Sequence, residues 1–294
     1  MIILICSDGT PPSNNAIHIG GLLAKATHAR TTLLGIVEQS PDEAALRQAL
    51  ENQAAALVNA GLDPRIVVRS GEPILEILSE TSASNYDLVV IGARPKESTG
   101  LFWRSQRTYE LVKAIEPPVI VAIGKCERLA RFLVCTGGKH YLDAGIKLTA
   151  NLAAALNAEV TLLHVMAAPP AIFADLARME SDADALLASG SDLGQSLSAQ
   201  RDIFRKLGVT VCVRVRHGLV TDEVFKEVDK GDYDVIVSGS SRARGPLRHY
   251  IMGDLTRSIL NRSQCPVLVA RGANGTGAGF LLRLWRRILG PSPD

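Results

Sequence analysis

Aromatic side chains make up only 4% of this 294-residue chain, too few for a surface that stacks nucleic-acid bases. Neither sign of charge dominates. The 32 Lys and Arg against 30 Asp and Glu leave a net +2, far from the positive field that a nucleic-acid backbone selects. No apolar run approaches the ~20 residues needed to cross a bilayer. The opening MIILICSDG lacks both the length and the basic flank of a secretory leader. A cytoplasmic protein, at most peripheral at a membrane, is the expectation. Cys6, Cys126, Cys135, Cys212 and Cys265 include no pair at C-x-x-C spacing. Cys6, Cys135 and Cys212 fall inside apolar strand patterns, so buried, reduced thiols are expected and a metal site is not.

What the chain does contain is a regular alternation of strands and helices. Ile2–Cys6 is a short apolar run of the kind a parallel strand shows when both faces are covered. Asp8-Gly9-Thr10 ends it, and Ser13 is placed to cap a helix through about Ala29. Further strands are read at 32–37, 66–68, 88–91 and 119–122. Helices fall between them: one from Pro41 to Ala60 with Gly61 as its stop, one from Pro73, and one near 108–115 after a loop spanning 92–104. Short strands separated by helices of this length predict right-handed βαβ units and a doubly wound parallel sheet.

The pattern then repeats, with strands at 132–135, 161–165, 211–215, 235–237 and 267–269. Early pairs lie 128 or 129 residues apart, Ala16 with Ala144 and Leu33 with Leu162. Later ones lie 147 apart, Gly71 with Gly218 and Gly92 with Gly239. An insertion around Pro169-Pro170 and a longer helix through about Leu207 account for the difference. The fold class is therefore α/β: two tandem doubly wound domains of five parallel strands, over 1–125 and 128–271, the result of an internal duplication. Residues 272–294 stand apart. A Gly-rich spacer leads into GFLLRLWRRILG, where Leu281, Leu284, Trp285 and Ile288 fall on one helical face with Arg283, Arg286 and Arg287 on the other. Such a helix reaches only ~16 Å, so it is expected to lie on a membrane surface, on a partner or on the chain itself.

The stretch 234–270, DVIVSGSSRARGPLRHYIMGDLTRSILNRSQCPVLVA, carries the functional question. It reads as a strand, a Gly/Ser/Arg loop, a helix opening near Gly253 and a final strand. Small residues between a strand and a helix N-terminus suit a phosphate, because backbone N–H groups approach closely and the helix dipole favours negative charge. Each half also resembles a universal stress protein domain. Asp8-Gly9-Thr10 with Ser13 and Ala16 matches that family's D-G-S-x-x-S-x-x-A, and Gln264-Cys265-Pro266-Val267-Leu268-Val269 matches its closing strand.

The resemblance implies strand order 3-2-1-4-5 in each half, pairing of domains through strand five, and an adenine nucleotide such as ATP beside strands one and four. That last position also follows from the reversal of strand order in open α/β sheets. On the first half the implied contacts fall at Asp8, Gly9, Val37 and Gly92. On the second they fall at Thr136, Gly137, Gly138, Val165, Gly239, Ser240, Arg242, Ala243, Arg244, Gly253 and Asp254. Both sets depart from the family's G-x-x-G, nine residues, G-S/T loop. The first half has Pro95 at the second glycine and Ser105-Gln106 at the end, with Glu97 nearby. Pro95 has no N–H to offer a phosphate. In the second half Ala243 takes the second glycine's place, Thr136 stands where the aspartate belongs, and Asp254 follows Gly253. Asp254 is expected to cap its own helix. Arg242, Arg244, Arg248 and His249 make the second loop cationic enough to hold an anion from side chains.

Thr136-Gly137-Gly138 lacks the Asp-Ser that adenylate-forming enzymes place after S-G-G. His140, His164 and His217 form no nucleophile–base pair, and His164 in LLHV reads as core. Asp182 and Asp184 read as a solvated helix start. The expectation is a non-enzymatic stress-response regulator or adaptor with degenerate adenine-nucleotide sites. Two alternatives stand beside it: an ATP binder with slow hydrolysis using the second loop, and an adaptor docking through the tail. The two halves are expected to form an internal pseudo-dimer.

Overall fold

A computed structural model describes residues 1–37, 43–93, 103–138, 143–167, 183–242, 250–251 and 253–271. In the first half these build β1 (Ile2–Ser7), α1 (Asn14–Thr27), β2 (Arg30–Val37), α2 (Glu43–Asn59), β3 (Arg65–Ser70), α3 (Pro73–Ala83), β4 (Leu88–Gly92), α4 (Trp103–Ala114) and β5 (Val119–Ala122). The second half has β6 (Arg131–Cys135), α5 (Asp143–Ala155), β7 (Glu159–Met166), α6 (Ala183–Ala188), α7 (Asp192–Lys206) and β8 (Val211–His217). It closes with α8 (Val220–Lys230), β9 (Val235–Arg242), β10 (Tyr250–Ile251), α9 (Asp254–Arg262) and β11 (Val267–Arg271). The Pro169-Pro170 turn, the residues after Gly138 that include His140, Ala243 through His249, and the tail with Leu281, Leu284, Trp285 and Ile288 lie outside the described residues.

The expected fold class holds. The strands run in the order β3-β2-β1-β4-β5-β11-β9-β6-β7-β8, so each half has the order 3-2-1-4-5 in its own counting. Within each half the neighbours are parallel; the halves meet where β11 runs antiparallel to β5, with Val119 opposite Val269 and Val121 opposite Val267. Fifth strands thus pair as anticipated, and one sheet runs through the whole molecule. Alternation along the strands feeds two cores. Ile3, Ile5, Phe132 and Val134 face the layer of α1, α2, α5 and α7, whereas Leu4, Leu133 and Val89 face α3, α4, α8 and α9. Helices also meet across the join, α1 against α5 and α4 against α9. In the second contact the Arg257 guanidinium sits 5.5 Å over the Tyr109 ring.

The register corrects the spacing of the duplication. Cys6 pairs with Leu34 and Cys135 with Leu163, each position moving by 129 residues. The two helix-ending residues in left-handed conformation, His28 and Asn157, are also 129 apart. Ala16 therefore corresponds to Gly145, not Ala144. Pairing Ala16 with Ala144 followed residue type; the ladder overrides it by one position. The thiols divide more than expected. Cys135 is buried, Cys6 is partly covered, and Cys212 is exposed because β8 is an edge strand. α4 begins at Trp103, so Ser105 and Gln106 belong to its first turn rather than following a loop. Asp184 lies in the first turn of α6.

Candidate functional site

Strand order reverses between β1 and β4 in the first half and between β6 and β9 in the second, and these are the two places where an open α/β sheet offers a ligand crevice. In the first, β1 runs into a turn built on Ser7 and Asp8. The exposed Asp8 carboxylate accepts from the Thr10 N–H at 3.0 Å and from its hydroxyl at 2.5 Å. Gly9 has φ +74° and donates its N–H to Ser7 Oγ at 3.0 Å. A Cβ there would meet Leu46 Cδ1 at 2.9 Å, so helix packing as well as backbone conformation requires this glycine. Gln53 of α2 braces the turn from behind. It accepts from Ser7 Oγ at 2.6 Å and donates to Asn14 Oδ1 at 2.8 Å and Ser13 Oγ at 3.1 Å. Ser13 occupies the N-cap position of α1, but its hydroxyl donates to Thr10 O rather than capping the helix.

Val37 closes β2, buried, with its carbonyl taking the Gly71 N–H at 2.9 Å. Gly92 closes β4, and a Cβ there would come no nearer than 3.7 Å to Ser13 Cα. Packing does not demand Gly92 as it demands Gly9. The first crevice thus combines a hydrogen-bonded turn with an exposed carboxylate.

The second crevice repeats the brace with other residues. Thr136 Oγ1 donates to Gln200 Oε1 at 2.8 Å and accepts from the Gly138 N–H at 3.1 Å, with Gly138 at φ +68°. These are the bonds of Ser7, Gln53 and Gly9, so Thr136 matches Ser7. Gly137 matches Asp8, which corrects the assignment of Thr136 to the aspartate position. His164, buried as expected, lies with Nδ1 2.9 Å from Thr136 O. Leu193 packs where a Gly138 side chain would stand. The Gly218 N–H bonds Met166 O as the Gly71 N–H bonds Val37 O. Met166, not Val165, therefore holds the strand-two position of this crevice.

The largest difference lies in strand four. The Gly/Ser/Arg stretch was expected to leave the sheet after Val237, yet β9 continues to Arg242. Gly239 pairs with Ala270 and Ser240 with Arg271 of β11, and Tyr250 folds back opposite Arg242. Ladder register makes Gly239 the match of Gly92, as their spacing implied. The Ser240 hydroxyl is buried, donating to Ala270 O at 3.2 Å and accepting from Arg271 Nη1 at 2.9 Å. Gly253 is the N-cap of α9, and Asp254 is its first residue, exposed, with no side-chain capping bond at this terminus. Asp254 is thus not the cap; its charge faces the positive end of the dipole only. Ala243 and Arg244 lie outside the described residues.

One polar cluster escaped the sequence reading. In the first half Glu80, almost fully buried, accepts from Arg69 Nε at 3.0 Å and from the Tyr86 hydroxyl at 2.7 Å. In the second Glu227 takes Arg216 Nη2 at 2.7 Å, the Tyr233 hydroxyl at 2.8 Å and Arg214. Arg69, Glu80 and Tyr86 recur as Arg216, Glu227 and Tyr233 at the same spacing of 147 as Gly71 and Gly218. That shared spacing was the available signal. Burial would raise both carboxyls, but the phenol and guanidinium bonds hold them below the usual glutamate range. Burial and the Glu227 charge push Tyr233 up to about 12. Burial likewise holds Cys135 up to about 12, and Cys6, with Glu80 adding to it, to about 12; neither is a thiolate nucleophile at neutral pH. Among the described residues no group of His, Cys, Asp and Glu could hold a metal ion, and no helix is long and apolar enough to cross a membrane.

The universal stress protein family matches the sequence twice, over residues 1–122 and 129–271. The chain belongs to this family. Its two matches are the two halves of the sheet. Among solved structures, a universal stress protein from Archaeoglobus fulgidus DSM 4304 superposes with a TM-score of 0.69 at 16% identity, covering 92% of this chain and 98% of the other. A protein of unknown function from Pseudomonas aeruginosa PAO1 gives a TM-score of 0.67 at 18% identity, with 92% of each chain covered. At these identities the likeness is one of fold, and it extends over the tandem arrangement. No curated protein matches the sequence.

Proposed function

We propose that this tandem universal stress protein is a non-enzymatic regulator or adaptor, cytoplasmic, whose response to adenine nucleotide rests on the first crevice. The observation that carries this reading is the asymmetry of the strand-one turns. Gly137 stands where the first half has Asp8, and Ser240 is bonded into the ladder and to Arg271. In the first half Asp8 is exposed beside the end of β1. A carboxylate there accepts ribose hydroxyls. Thiols held to about 12 supply no nucleophile in either crevice.

The test is a titration of ATP and ADP against the intact protein, Asp8→Ala, and an Arg242→Ala/Arg244→Ala double variant. Saturable binding lost in Asp8→Ala and kept in the arginine variant supports the reading. Loss in the arginine variant alone transfers the site to the second loop and revives slow hydrolysis there. No binding at millimolar nucleotide leaves an adaptor without a nucleotide switch.

A further inference from the structure

A groove of about 640 Å³ runs between α1 and α2 on the outer face of the first half. Its apolar lining comes from Ile17, Gly21 and Leu22 of α1 and from Ala49, Ala56 and Ala60 of α2, with Asn14, His18, Lys25, Asn52 and Gln53 as its polar part. Gly21 lets the helices approach so closely that a Cβ there would meet Leu57 Cδ2 at 2.9 Å. The second half differs at the same place. At the positions of Gly21, Ala56 and Leu57 it carries Ala150, Ile203 and Phe204, with Phe204 fully buried, whereas Leu207 at the position of Ala60 is exposed. Small residues at Gly21, Ala56 and Ala60 thus open the groove of the first half, in a form that receives an amphipathic helix.

We infer that this groove is occupied by the chain's own C-terminal segment, with Leu281, Leu284, Trp285 and Ile288 set against α1 and α2. The argument rests on where the described chain ends. β11 runs antiparallel to β5, so Arg271 finishes level with Pro117, at the N-terminal end of the first-half strands. α1 descends from the crevice toward that same end, where Ala29 bonds back to Ala24, and Lys25 and Ala60 close the groove there. β11 is separated from β2 by β5, β4 and β1, four strand spacings or ~19 Å. The nine residues 272–280 span ~30 Å extended, and as a Gly-rich coil average ~17 Å. The stripe thus reaches the groove without crossing the sheet. Tethering gives it a high effective concentration there.

The full chain with Trp103→Phe leaves Trp285 as its single tryptophan. Blue-shifted emission and weak acrylamide quenching, independent of protein concentration, are expected. Both are lost when Ala56→Ile and Ala60→Leu narrow the groove. Circular dichroism of that variant checks that the fold is intact. Solvent-exposed Trp285 emission in the parent overturns the inference. So does a blue shift that survives groove filling, one that appears only with phosphatidylglycerol vesicles, or one that follows dimer formation in sedimentation.

Discussion

Arg271 Nη2, at the end of the last strand, donates to the carbonyl of Ile115 at 2.7 Å, across the join between the halves. The same buried guanidinium reaches Pro117 O at 3.1 Å, Ser240 Oγ at 2.9 Å, and Val112 O. It thereby satisfies the C-terminal carbonyls of α4, where the helix dipole is negative. One side chain of the second half completes a helix of the first. Arg271→Met is expected to lower stability by about 3 kcal/mol, since several buried carbonyls lose their donor at once. Arg271→Lys recovers little, because an ammonium lacks the planar fork. Urea unfolding checks this, and a single unchanged transition would count against the joint.

Loss of the linker turn should act at the same join. Gly124 has φ +66°, and an added Cβ would overlap the Gln264 carbonyl just before β11. Gly124→Ala is expected to cost about 2–4 kcal/mol, from left-handed strain and the forced displacement together. Differential scanning calorimetry of the variant reads the loss as a lowered or split transition.

Acid should weaken the protein through the twin carboxylates. Glu80 and Glu227 have folded values held below the ordinary glutamate range. Their contribution is therefore present above the unfolded value of ~4.3 and is lost as pH falls through the lower folded values. Glu227→Gln should cost about 2–3 kcal/mol at pH 7, moderated by the half-exposed Arg214 and Arg216. Its deficit should shrink at pH 3, and equal deficits at both pH values would sink the assignment.

Thiol chemistry should separate the cysteines by position in the sheet. Cys212, exposed on the edge strand β8, should react with a disulfide reagent at the rate of a free thiol. Cys135, buried and held up to about 12, should react only on unfolding. Peptide mapping after brief labelling distinguishes the two.

Strand and helix content was legible because buried parallel strands and helix signals are local, the duplication showed in recurring residues at fixed spacing, and the strand order came from the family resemblance. Single-residue register was not. Strands covered on both faces lack the alternation that would betray a one-residue slip, which is how Thr136 stood in for Gly137 and Val165 for Met166. The extension of β9 was hidden for another reason. Ser238 to Arg242 has turn composition, and pairing with β11 and with Tyr250 overrides it. Glu80 and Glu227 look like ordinary polar positions of amphipathic helices. Only their recurrence with Arg and Tyr at one spacing marks them, and burial is a tertiary fact. Cys212 reads as a strand residue, and nothing local says that its strand is the last.

Because β5 and β11 belong to one polypeptide, the two halves cannot be diluted apart. Their ratio is fixed at one to one at any expression level. Each half is then free to specialise without risk of pairing with its own kind. Gly137 and the bonded Ser240 on one side, and Asp8 with the groove between α1 and α2 on the other, are differences that a dimer of identical subunits could not keep.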